Sequence, residues 1–106
     1  MIPPEVPIFL CTEPVDMRKS FDGLAGAARD LLGRDPEGGG LFVFVNRRSN
    51  RLKILWLDGR GYCLLYKRLD RALFRLPELG GRERIGAREL ATLLAGVPVP
   101  ARGGRR

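Results

Sequence analysis

Apolar positions along this chain fall into two patterns, continuous short runs and repeats at helical spacing. Residues 7–12 (PIFLCT) form one such run and read as a strand, with Pro7 allowed only at its start or on an edge. Pro14 then disfavours helix at Glu13 and breaks the chain. From Asp16 the period changes. Met17, Phe21, Leu24, Ala28, Leu31 and Leu32 recur at spacings of three and four, which is one face of a helix. Asp16 and Ser20 each suit an N-cap, so the stretch is either one helix or a turn followed by a helix, with Gly33 as the stop. Gly23 and Gly26 weaken such a helix by about 1 kcal/mol each relative to Ala. That leaves tertiary packing to hold it and gives room for another backbone to come close.

Residues 34–40 (RDPEGGG) connect this helix to the next run. Three glycines in a row raise the question of a phosphate-cradling loop. No GxxxxGKS or GxxxxGKT pattern follows, and a strand opens after them where a helix would be needed, so a plain loop is the better reading. Residues 41–45, 52–57 and 62–67 are three apolar runs, separated by the polar loop 46–51 (NRRSNR) and an Asp-Gly turn at 58–61. They predict a three-stranded antiparallel meander, and residues 72–76 before Pro77 offer a fourth strand. The runs are apolar at consecutive positions, so both faces should be covered in the middle, one of them by the first helix. After a charged connection at 78–84, Ile85, Leu90, Leu93 and Leu94 predict a short amphipathic helix ended by Gly96 and Pro98. The expected fold class is α+β. It comprises one small domain over 1–101, with a three- to four-stranded antiparallel β-meander, a short N-terminal strand and two flanking helices. A disordered basic tail is expected at 102–106. At 106 residues the chain suits one domain with one small core.

Charge changes this picture because it is unevenly spread. Between Arg47 and Arg75 stand nine basic residues against two acidic ones, a net +7 that equals the charge of the whole chain. Such a concentration favours a polyanionic partner, nucleic acid before an anionic membrane surface. The plainer account is a composition rich in Arg, Gly and Pro, with sixteen of the nineteen basic residues being Arg. No apolar run approaches the roughly 18 residues that cross a bilayer, and MIPPEVPIFL lacks a basic leader region. A cytoplasmic protein is the expectation.

Catalytic and metal chemistry find little support. The chain has no His, so the commonest general base and every Ser-His or Cys-His arrangement are missing. Cys11 and Cys63 form no CxxC pair, sit inside apolar runs and read as small buried hydrophobes. Asp16 and Asp58 have structural duties before a helix and in a turn. No metal, cofactor or catalytic residue is assigned.

Nucleic-acid contact is better supplied. Arg47, Arg48 and Arg51 crowd one hairpin loop, and a two-stranded ribbon suits a major groove. Lys53, Lys67, Arg68 and Arg71 would add backbone contacts, with Arg18 and Lys19 as outliers. Trp56, Tyr62 and Tyr66 are interleaved with these charges and are candidates for stacking on unpaired bases, against the alternative of core or cross-strand packing.

PVDMRKSFDGLAG at 14–26, LFVFVNRRSNRLKILWLDGRGYCLLYKRLDRALFRLP at 41–77 and RELATLLAG at 88–96 resemble the TnpB accessory protein of the insertion-sequence-66 family, near-colinearly over about residues 7–97. Leu57 stands where an aromatic is frequent in that family, and Leu76 where Trp is. The resemblance implies a bacterial mobile-element protein, unrelated to the RNA-guided nucleases that share the TnpB name. It implies a non-enzymatic accessory factor in DNA transposition, encoded beside a large transposase and another small accessory protein. The family brings no active-site residues to carry over. DNA, most naturally the element ends, is the expected partner through the basic hairpin. The alternative is an adaptor that docks on the transposase without touching DNA.

Overall fold

The structure is a computed structural model that describes residues 5–100. The basic tail expected at 102–106 lies outside them. The chain runs β1 (Ile8–Leu10), α1 (Phe21–Leu32), a 3-10 turn (Pro36–Gly38), β2 (Leu41–Val45), β3 (Arg51–Asp58), β4 (Gly61–Arg68), β5 (Ala72–Leu73), β6 (Arg84–Ile85), α2 (Ala87–Ala95) and β7 (Val97–Pro98). The α+β class holds, and β2, β3 and β4 form the antiparallel meander.

The sheet goes further than the meander. Its order is β4-β3-β2-β1-β6, with β1 parallel to β2 and antiparallel to β6. The N-terminal strand therefore lies inside the sheet, joined to β2 by the α1 crossover that a parallel pair requires. Residues 72–76 do not extend the meander. Ala72–Leu73 pairs with Val97–Pro98 in a separate two-stranded sheet. Ile85 is likewise a buried strand residue and does not begin the second helix, which starts at Ala87.

The consecutive apolar residues of β1, β2 and β3 are explained by cover on both faces. Phe9, Phe42, Phe44 and Leu55 point to one side, where Leu24, Ala28 and Leu32 of α1 pack on them. Ile8, Leu10, Val43, Leu52 and Ile54 point to the other, under Phe74, Ile85 and Leu93 from the C-terminal third. The Phe9 and Phe42 rings stack at 5.5 Å on the α1 side.

The start of α1 is a turn followed by a helix. Asp16 Oδ1 accepts from the Arg18 amide at 2.9 Å, whereas Ser20 precedes Phe21 with no side-chain cap. Gly33, at φ 65°, ends the helix in the left-handed region. The glycines inside α1 admit no second backbone. A Cβ at Gly23 would meet the Lys19 side chain, and one at Gly26 would meet nothing within 4 Å. Gly40, the last of the three consecutive glycines, sits at φ 115°, where a Cβ would come within 3.0 Å of the Phe9 ring. Those glycines serve a tight loop against β1.

Candidate nucleic-acid interface

The β2–β3 hairpin closes on Asn46. Its side-chain oxygen accepts from the amides of Asn50 at 3.1 Å and Arg51 at 3.0 Å, and its amide nitrogen donates to Asn50 Oδ1 at 2.8 Å. Ser49 takes a left-handed φ of 60° to complete the turn. From below, the amides of Phe74 and Leu69 bond the carbonyls of Ser49 at 2.7 Å and Asn50 at 2.8 Å. The tip is thus tied to its own base and to the segment after β4. Arg47 and Arg48 project from it, exposed, and neither has an acidic partner among the described residues.

Strand alternation decides where the remaining basic residues go. On β3, Arg51 and Lys53 share the α1 side with Leu55, and their partners on β4 are Arg68 and Tyr66. Arg51 donates from Nη1 to the Tyr66 hydroxyl at 2.7 Å. Lys53 is 6% exposed and its ammonium donates to the carbonyls of Met17 at 2.8 Å and Lys19 at 2.7 Å. That nitrogen also lies 4.6 Å from the centroid of the Tyr66 ring. A buried ammonium needs such acceptors, and here they fasten the 16–19 turn to the sheet.

The turn carries Arg18, whose guanidinium grips Asp16 with contacts of 2.6–3.1 Å while its side chain stays 91% exposed. This hydrogen-bonded pairing holds the Asp16 carboxyl well down, to about 2. Between the turn and the hairpin lies an open cleft of about 680 Å³. Asp16 and Arg18 line one wall, Arg47, Arg48 and Arg51 the other, and Tyr66 lies between.

The candidates named from sequence are therefore only partly brought together. Arg18 joins Arg47, Arg48 and Arg51 in the cleft. Arg68 opposes Arg51 across the strand pair but reaches toward Asp70 at 3.5 Å. Lys53 is buried beneath the cleft, its ammonium held by carbonyls. Lys67 faces the opposite side of the sheet and donates to the carbonyl of Leu94 at 2.7 Å, one residue before the end of α2. Arg71 sits in a turn at φ 62°, and its carbonyl accepts from Val99. Lys19 is exposed and lies along Gly23. Of the aromatics, Trp56 packs partly buried on the C-terminal side and Tyr62 on the α1 side, while Tyr66 is 49% exposed.

Asp16, Asn46 and Asn50 were not singled out as builders of this cleft. Asn46 and Asn50 had a readable signal in being the only amide side chains bracketing the arginine loop. Among the described residues, no group of three or more His, Cys, Asp or Glu is placed to hold a metal ion, and no helix is long and apolar enough to cross a membrane. Cys11 is buried and Cys63 half-buried, both as free thiols, and burial pushes the Cys11 thiol up.

Two curated proteins of Sinorhizobium fredii strain NGR234 are similar over most of the chain. Uncharacterized protein y4hO is 41% identical over 93 residues, covering 87% of this chain and 81% of that protein. Uncharacterized protein y4jC is 34% identical over 91 residues, covering 85% and 78%. No solved structure matches significantly. The profile of the IS66 Orf2-like proteins matches residues 6–102, so nearly the whole of this chain, hairpin and cleft included, belongs to the IS66 Orf2-like (TnpB) family, with its transposition-associated accessory role.

Proposed function

We propose that the protein is a non-enzymatic accessory factor of transposition that holds DNA, most naturally the element ends, in the cleft between the 14–18 turn and the 46–51 hairpin. The observation that supports this is the convergence of Arg18, Arg47, Arg48 and Arg51 around one cleft on a tip tied down by backbone and Asn46 hydrogen bonds. Guanidinium groups suit phosphate oxygens, to which they donate two parallel hydrogen bonds. A tied-down tip reduces the ordering cost of binding. Lys53 and Lys67, engaged with carbonyls, are left out of the contact set. Arg68, Arg71 and Lys19 remain as peripheral contributors to the field.

Replacing Arg47, Arg48 and Arg51 together with Ala tests the reading. Folding should be retained, because Arg47 and Arg48 are exposed charges that contribute little to stability and the half-buried Arg51 gives up a single side-chain hydrogen bond, to Tyr66. DNA affinity should drop, and the slope of log affinity against log salt should become shallower by up to about three. An unchanged affinity and slope would sink the proposal.

A second reading, an adaptor on the transposase, draws on a different observation. Leu73, Val97 and Val99 are exposed apolar side chains on and beside the small β5–β7 sheet, away from the cleft. Binding to element-end DNA that appears only when the transposase is added would favour the adaptor.

A further inference from the structure

The cleft is built around an aromatic ring, and that bears on which form of DNA it takes. We propose that its ligand is unpaired DNA, with one base stacked on Tyr66 and the flanking phosphates held by Arg18 on one wall and Arg47, Arg48 and Arg51 on the other. This rests on the DNA-binding reading and narrows it.

Three observations carry the inference. First, the shape is concave. A duplex keeps its bases stacked inside and offers proteins its phosphates and groove edges, which are read by elements that protrude into a groove. A cleft of about 680 Å³, with Arg47, Arg48 and Arg51 on one wall and the Asp16–Arg18 pair on the other, has the opposite shape, and admits a strand whose bases can turn outward.

Second, Tyr66 is held in a fixed pose. Arg51 bonds its hydroxyl at 2.7 Å, and the Lys53 ammonium sits 4.6 Å from the ring centroid. Lys53 in turn is held by the carbonyls of Met17 and Lys19. The Arg51 guanidinium carbon also lies 5.9 Å from the ring centroid, and with both cations beside it Tyr66 is still 49% exposed. Trp56 and Tyr62 have no such freedom, being packed against the two cores. An aromatic face presented beside several arginines is the arrangement that binds single strands with little regard to sequence.

Third, Tyr66 lies on β4, an edge strand with no further strand beyond it among the described residues. A DNA strand can therefore pass the ring along this edge without crossing a further β-strand of the described residues. Lys53 is a positioning residue in this scheme and touches no DNA.

Fluorescence anisotropy of the full chain with labelled dT20 and with a 20-base-pair duplex, at matched salt, is the test. The dT20 should bind about tenfold or more tightly than the duplex. Tyr66→Leu should weaken dT20 binding by about five- to a hundredfold while changing duplex binding by less than about threefold. Tyr66→Phe, which keeps the ring but loses the hydroxyl that Arg51 bonds, should keep most of the dT20 binding that Tyr66→Leu loses. Equal or tighter binding to the duplex, or equal losses on both DNAs in Tyr66→Leu, overturns this inference alone. Binding to neither DNA overturns it together with the DNA-binding reading.

Discussion

The two faces of the sheet receive the same run of positive charge and use it differently. On the α1 side Arg51 and Lys53 come up beneath the hairpin tip, where Arg47, Arg48 and Arg18 complete a cleft around Tyr66. On the other side Lys67 reaches across to the last turn of α2 and bonds Leu94. There a cation meets the partial negative charge of a helix C-terminus, a wholly internal use. Charge counted along a strand overstates an interface, because alternation sends neighbouring residues to opposite faces and burial then claims some of them.

The sharpest way to break this comparison is at Lys53. Lys53→Met keeps much of the stem but leaves the carbonyls of Met17 and Lys19 without their donor. Stability should fall by about 2–4 kcal/mol, read from urea unfolding. DNA binding should weaken as well, because the 16–19 turn carries Arg18. A loss under about 0.5 kcal/mol would show that Lys53 is no strut.

Lys67→Met is the milder counterpart. It removes one hydrogen bond to a helix end and should cost about 1 kcal/mol. The salt dependence of DNA binding should stay unchanged, since the residue faces away from the cleft. A shallower salt slope in this variant would return Lys67 to the interface and erase the difference between the faces.

The smallest effect concerns Asp16. Its folded pKa, about 2, lies below the ordinary value of 3.8. Its contribution to stability is therefore present above the ordinary value and is lost as pH falls through about 2. An NMR titration of the carboxyl should give a midpoint near 2, and a midpoint at 3.8 or above would remove the Asp16–Arg18 pair from the cleft wall. Asp16→Asn, which releases Arg18 and removes a negative charge, should tighten DNA binding by about two- to fivefold.

Much of the fold was legible because its signals are local. The hairpin residues 46–51 and 58–61, the helical spacing from Met17 to Leu32 and the stop at Gly33 all act within a few residues. What escaped depends on partners far along the chain. Ile8–Leu10 reads as a strand, but nothing local says that it lies between β2 and β6. Ala72–Leu73 and Val97–Pro98 are two residues each, too short for a periodic signal. The arginines of the tip were visible as a cluster, and Arg18 looked like an outlier because the turn bringing it close is held through a lysine 35 residues on, at position 53. The exposure of Tyr66 against the burial of Trp56 and Tyr62 is a matter of sheet edge and packing, which sequence spacing alone does not rank.

The short strand Ile8–Leu10 has a consequence for how the chain can be divided. Its parallel partner is β2, in the meander, and its antiparallel partner is β6, from the C-terminal third. Cutting away the C-terminal third strips the sheet's second apolar face and one neighbour of β1. Cutting away the N-terminal strand detaches β6 from the sheet, since β1 is its sole partner there. The five-stranded sheet thus draws its strands from both ends of residues 5–100. Fragments meant to isolate the hairpin would present its arginines on a tip that has lost the backbone bonds holding it.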